Sequence, residues 1–444
     1  MLPRICFLLV FLVALPAFCQ VNPSAEGGPT PPEDYTQMTT PPLVSGIAYP
    51  NVAGSDMESN YLTAAVNMTT GYTDNLLPAE TSTPVSDFTY LINPTLSYDR
   101  ITPRQHTSFV YNPGFTFYEP DSFLDSIDQS ANFRFDERLS PRLAFNVMDT
   151  FMRTSDVFDQ SFPFLGGIGG TPQSPVPAVL APFVQQMSNS GSAAITYQFS
   201  ADSMVGAGGG YSLYDYSSPN QNQGLYNSSG GSASAFYDRR FGRNQYVGLD
   251  YQYALTVATP PNVRVSSQME TLLPFYTLFI HRNFSVTAAV GAQDINVTET
   301  KQPTSDSWFP TVVTSLGWQG PRTSFALSYL RVITTGEGLV GGYKSNNVNA
   351  SGTWKFSRDW HVGASGGYNT IEAQGSLVGL DYQGGDSFTV GATLRRTMGD
   401  HFTAEVGYDR IHENFVGIPI VAESPDSDRA YVTVTYQFQK PLGR

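Results

Sequence analysis

Five histidines and thirty-eight acidic residues are the groups in this chain best equipped for acid–base or metal chemistry, and their spacing argues against most of it. His281, His361 and His401 fall at short polar breaks between apolar stretches, and His106 starts one such stretch. Only His412 stands among acids, beside Asp409 and Glu413, as in the Asp/His sites of surface proteases. A nucleophilic mechanism also needs a positioned serine, and nothing in the sequence singles one out. No His/Cys cluster has metal-ligand spacing. The acids Asp381, Asp386, Asp426 and Asp428 are calcium-type ligands, but solvated loop charge is the stronger reading. The run Gly206-Ala207-Gly208-Gly209-Gly210 has neither the helix nor the lysine that a phosphate-binding loop requires. The expectation is no enzyme and no cofactor.

The elements that carry these residues begin after a leader. Arg4 supplies a positive start, Ile5 to Leu15 an apolar run, and Ala17-Phe18-Cys19 small residues for cleavage before Gln20. Cys19 sits at lipoprotein distance, yet Phe18 is too bulky for a lipobox. Cleavage removes both cysteines, so the mature chain has no thiol chemistry. The sequence divides into a signal peptide (1–19), a Pro/Gly/Ser-rich periplasmic extension or small plug (20–59), a barrel (60–438) and a short tail (439–444). The extension is too short to be the globular plug of a TonB-dependent transporter.

From Tyr61 the chain repeats one pattern. In its last instance Val432, Val434, Tyr436 and Phe438 alternate with Tyr431, Thr433, Thr435 and Gln437. Side chains alternate across a strand with period two, so one face is apolar and the other polar. About 18 such segments are legible, within a range of 16–18. Short turns such as Ser200–Ser203, Gln319–Arg322 and Thr397–Asp400 alternate with long polar loops such as Thr154–Met187, Ser217–Gly230, Thr370–Ser387 and Asn414–Asp428. No stretch is a membrane helix; the best apolar run, Leu272 to Ile280, contains Pro274 and is half the length needed.

Charged residues make up 14% of the chain, against the roughly 25% usual in soluble domains. The net charge of −14 becomes −15 once Arg4 is lost with the leader. Nucleic acid is not an expected partner, because phosphate binding needs basic patches. Acids such as Asp121, Asp156, Asp159, Glu423 and Asp426 fall on the long loops, whereas Arg138, Arg142, Arg239, Arg240, Arg322, Arg358 and Arg396 cluster at the short turns. That segregation suits an oriented membrane protein.

With its leader, its alternating strands and the near-terminal Tyr436-Gln437-Phe438, the chain resembles the bacterial outer-membrane β-barrels, porins and their relatives. The resemblance runs from Tyr61 to Phe438. It implies an all-β, transmembrane, antiparallel up-and-down barrel in the outer membrane of a Gram-negative cell. It also implies that Phe438 is the C-terminal aromatic that guides insertion by the barrel-assembly machinery, although six residues follow it.

Parity then assigns the faces. Val247, Leu249, Tyr251, Val390, Leu394, Val406, Val432 and Val434 face lipid; Arg134, Asp136, Asp238, Asp250, Lys355, Arg395, Glu405 and Asp409 face the lumen. Tyr98, Phe117, Tyr118, Phe199, Tyr211, Trp318, Trp354, Phe356, Phe402 and Tyr436 are placed for interfacial girdles. An 18-stranded barrel leaves a water-filled bore. The expected function is a porin-like channel for small hydrophilic solutes; the alternatives are a barrel that exports a polymer such as an exopolysaccharide, or a non-conducting surface adhesin or scaffold.

Overall fold

The computed structural model describes residues 60–75, 86–119, 122–155, 185–216, 226–242, 244–260, 264–281, 283–299, 302–336, 339–374, 384–416 and 426–442. The expected leader, the 20–59 extension, and most of the loops Thr154–Met187 and Asn414–Asp428 lie outside these residues.

Eighteen strands follow one another: β1 (Tyr61–Thr73), β2 (Asp87–Ile101), β3 (Gln105–Glu119), β4 (Ser126–Ser140), β5 (Leu143–Thr154), β6 (Gln186–Ser200), β7 (Ser203–Tyr216), β8 (Ser228–Phe241) and β9 (Gln245–Ala258). The second half comprises β10 (Val265–His281), β11 (Phe284–Glu299), β12 (Gln302–Gln319), β13 (Thr323–Gly336), β14 (Leu339–Lys355), β15 (Trp360–Gln374), β16 (Gly384–Met398), β17 (Phe402–Val416) and β18 (Ser427–Pro441). Each strand pairs antiparallel with its neighbours in sequence, and β18 pairs with β1, with Phe438 opposite Ala64. The ring is therefore closed, and every strand has a ladder partner on each side over at least part of its length. The segment Leu272 to Ile280 lies in β10. The last strand runs to Pro441, opposite Tyr61, so the tail expected from 439 is shorter than the sequence boundary implied.

Two chemical devices shape the wall. Short turns at one end use glycines in the left-handed region, Gly242 with φ 70° and Gly399 with φ 69°. There Arg240 ties the β6–β7 turn, its Nη2 donating to Asp202 Oδ1 at 2.9 Å and to the Ala201 carbonyl at 3.0 Å. Within the strands, glycines receive aromatic rings from the next strand. The ring of Tyr431 lies over Gly407, that of Phe236 over Gly206, and that of Phe275 over Gly248. A ring laid over a glycine restores the packing that the glycine lacks and pins the register. Gly206, in the glycine run of β7, is thus a packing feature.

Candidate functional site: the two faces of the wall

On the outer face Val247, Leu249, Tyr251, Leu394, Val406, Val432 and Val434 are exposed, and Val390 lies on the same face of β16. Phe438 joins them at the short-turn end. Aromatic pairs ring that end: Phe199 with Tyr237, Phe284 with Trp318, Trp354 with Phe356, and Phe402 with Tyr436. Arg239 and Arg396 lie over the rings of Phe241 and Trp360, at 5.3 and 5.2 Å, which gives the basic residues of the short turns a place in the girdle. Tyr118 departs from the girdle set: it points inward and is buried, because its parity matches Val110 and Thr116 rather than Phe117.

A closed antiparallel ring satisfies its backbone internally, and an apolar outer face is stable only against lipid. The molecule is a transmembrane β-barrel of the outer-membrane type.

No protein-family model matches the sequence, and no curated protein matches it. Among solved structures, the barrel is similar to OccK2 (OpdF) of Pseudomonas aeruginosa, with 10% identity, 86% of this chain and 98% of that one covered, and a TM-score of 0.41. A BenF-like porin of Pseudomonas fluorescens Pf-5 matches at 10% identity over 85% of this chain and 99% of that one, with a TM-score of 0.40. The FrpB iron transporter of Neisseria meningitidis matches at 10% identity over 87% and 83%, with a TM-score of 0.44. The assignment of the outer-membrane barrel rests on its own strand pairing and faces.

The eight charges assigned to the lumen all lie on the inner parity, but in two environments. Arg134 and Asp136 form an ion pair at 2.5 Å and keep 38% and 30% of their side-chain exposure, although both face inward. His106 joins them, with Nε2 at 3.2 Å from Asp99 and Nδ1 at 3.6 Å from Asp136. Lys355 is exposed at the end of β14. Arg395 and Glu405 are direct partners across β16 and β17, and the Tyr431 hydroxyl donates to Glu405 at 3.4 Å. Asp238, Asp250 and Asp409, by contrast, are buried in the wall lining. Arg429 Nη2 donates to Asp409 at 2.9 Å, and the Gln252 amide donates to Asp250 at 2.5 Å. Arg429 was legible by parity with Tyr431, but the apolar pattern alone starts the last strand at Ala430.

His412 does not meet Asp409 or Glu413. Both acids face inward, whereas His412 is on the outer parity of β17 and pairs with Asp426 at 2.6 Å. Neighbours in a strand point to opposite faces, which separates a constellation that looked coherent in sequence.

A larger departure concerns β13 and β14. Their ladder runs out to Gly336 opposite Leu339 at the long-loop end. Above Arg331, β13 leaves the β12 ladder and lies along the inner surface, where it meets β8, β9 and β11, while β14, still paired with β15 as far as Gly342 opposite Gln374, meets β10 and β11. The Ile333 N–H donates to Gln293 Oε1 at 2.7 Å, and Gln293 Nε2 donates to the Ile333 carbonyl at 3.0 Å. One side-chain amide thus takes the place of a ladder partner. The Thr311 hydroxyl donates to the same Oε1 at 3.3 Å. At the tip, Val340 packs with Tyr226, Ala258, Val265 and Val297. Gly341 turns the chain with φ 99°, and Gly342 gives room to the end of the Ile295 side chain, which a Cβ would displace. Beneath lies an apolar patch of Leu273, Phe275, Ala289 and Val313, with Leu330 against it. Periodicity does not mark this fold-in, since β13 and β14 alternate like any other pair.

Proposed function

We propose that the barrel is a channel for the passive passage of small hydrophilic solutes across the outer membrane. The observation that carries this reading is the Arg134–Asp136 pair, inside a closed 18-strand ring yet still accessible to water. Closed 16–18-stranded barrels have the circumference for an aqueous bore. Short turns belong to the periplasmic side of such barrels and long loops to the outside, which sets both termini in the periplasm. Phe438, on the outer face at that end, is then the aromatic presented to the assembly machinery. The inturned β13–β14 hairpin narrows the bore near its outer mouth and favours small solutes over a polymer chain. Swelling of proteoliposomes in sugars of increasing size tests the reading. Entry of monosaccharides with exclusion of long oligosaccharides supports it, and equal exclusion of all sugars contradicts it.

A further inference from the structure

Where β13 turns inward, it leaves a slot in the ladder of the wall. The β12–β13 ladder holds only Val312 opposite Arg331 down to Gln319 opposite Ser324. On either side the pairing continues much farther, to Glu299 opposite Gln302 between β11 and β12 and to Gly336 opposite Leu339 between β13 and β14. Among the described residues, β12 above Val312 therefore has a ladder partner on one side only. The sequence agrees with that edge: Pro303 and Pro310 both fall in this half of β12, and proline, lacking an N–H, belongs in sheets at edges.

The slot opens at membrane depth. With a rise of ~3.3 Å per residue and a tilt of about 40°, the chain from Trp318 to Trp308 climbs roughly 25 Å, the height of an apolar band. These two tryptophans mark its edges, and the slot runs from Val312, in the outer part of the band, up to its rim. Unpaired backbone is not tolerated there unless it lines a cavity.

Its lining fits an amphiphile. Trp308, at 72% exposed, stands beside the opening on the outer face. Arg331, on the outer parity of β13, forms the base, and no carboxylate among the described residues pairs with it. Just inside lie Val313 and Leu330, continuous with Leu273 and Phe275. Ile333, outward by parity, is buried at 3% because its strand has moved within the ring.

We infer that this slot is a lateral port between the outer leaflet and the lumen, taking small amphiphiles with an apolar body and an anionic head, the head held at Arg331. The port rests on the transmembrane reading and adds a second route to the vertical bore.

Cysteines at Phe309 and Thr334, which would face each other if the ladder continued, test it. Cells making the Phe309→Cys/Thr334→Cys protein are given anilinonaphthalene sulfonate, an anionic amphiphile that fluoresces in apolar surroundings, and potassium current is measured in parallel in planar bilayers. Oxidation to the disulfide is expected to lower probe uptake to that of cells lacking the protein while the current persists. If the disulfide does not close, a bulky maleimide on Trp308→Cys, beside the opening on the outer face, covers the slot and the same result is expected. Probe uptake by the unmodified protein no faster than in cells without it overturns the port. So does uptake that survives blocking, or that is lost together with the current. Absence of current in every form, with probe uptake intact and sensitive to blocking, counts against the channel reading and leaves the port standing. Arg331→Gln is expected to slow the sulfonate and leave the uncharged amine phenylnaphthylamine unaffected; equal slowing of both contradicts the head-group assignment.

Discussion

Gln293 grips the backbone of Ile333 from both sides, accepting its N–H at 2.7 Å and donating to its carbonyl at 3.0 Å, from a strand two places away in the wall. This contact holds the β13–β14 hairpin inside the ring. Replacing Gln293 by Leu leaves two buried peptide groups without their partner, at a cost of about 1–3 kcal/mol for each unsatisfied group. The expected outcome is faster amide exchange at Ile333 with little change at the β16–β17 ladder. Unchanged exchange at Ile333 contradicts the role of the contact.

The assignment of faces makes a second prediction. Val434→Arg or Leu249→Arg, toward the middle of the apolar band, is expected to cost about 2–4 kcal/mol. Thr433→Arg and Gln252→Arg, each on the inner parity, are expected to assemble far better. Folded fraction, read as heat-modifiable mobility, distinguishes them, and equal defects at both parities contradict the assignment.

Register between β17 and β18 depends on the Tyr431 ring lying over Gly407. Gly407→Val forces that ring aside and is expected to destabilise the barrel by about 1–3 kcal/mol in urea unfolding. Adding Tyr431→Ser removes the clash, so the double variant is expected to recover part of the loss. A double variant worse than the sum of the singles argues against the packing account.

Sidedness gives a fourth test. Tags placed within Thr154–Met187 or Asn414–Asp428 are expected to be labelled on intact cells, and a tag after Arg444 only after permeabilisation. The reverse pattern overturns the orientation.

The barrel was legible because its signal is local. Alternation, as in Val432 to Phe438, is set by strand geometry and repeats in every segment, so all eighteen strands were visible as windows. Parity placed Asp136 and Val434 on opposite faces for the same reason. Burial on the inner face was not legible, because it depends on what packs over a residue. Asp238 and Arg134 share a parity, yet one is fully buried and the other keeps water contact. The inturned hairpin was hidden for a related reason. Gln293 reads as one more polar lumen residue, and its pairing with Ile333, forty positions away, has no periodic trace. Pro303 and Pro310 were the available signal, since two prolines in one strand disfavour ladders on both sides.

Conduction is the central claim, and single-channel recording in planar bilayers tests it most directly. The account predicts stepwise current with a weak cation preference. The eight charges assigned to the lumen comprise five acids (Asp136, Asp238, Asp250, Glu405, Asp409) against three bases (Arg134, Lys355, Arg395), and this acidic excess raises the local cation concentration. The preference is expected to fade at high salt, where the Debye length is only about 3 Å, and Glu405→Gln is expected to weaken it without closing the pore. Current that appears only after residues 20–59 are removed marks that segment as a plug. No current from either the full chain or the shortened one contradicts the channel and favours a non-conducting surface scaffold.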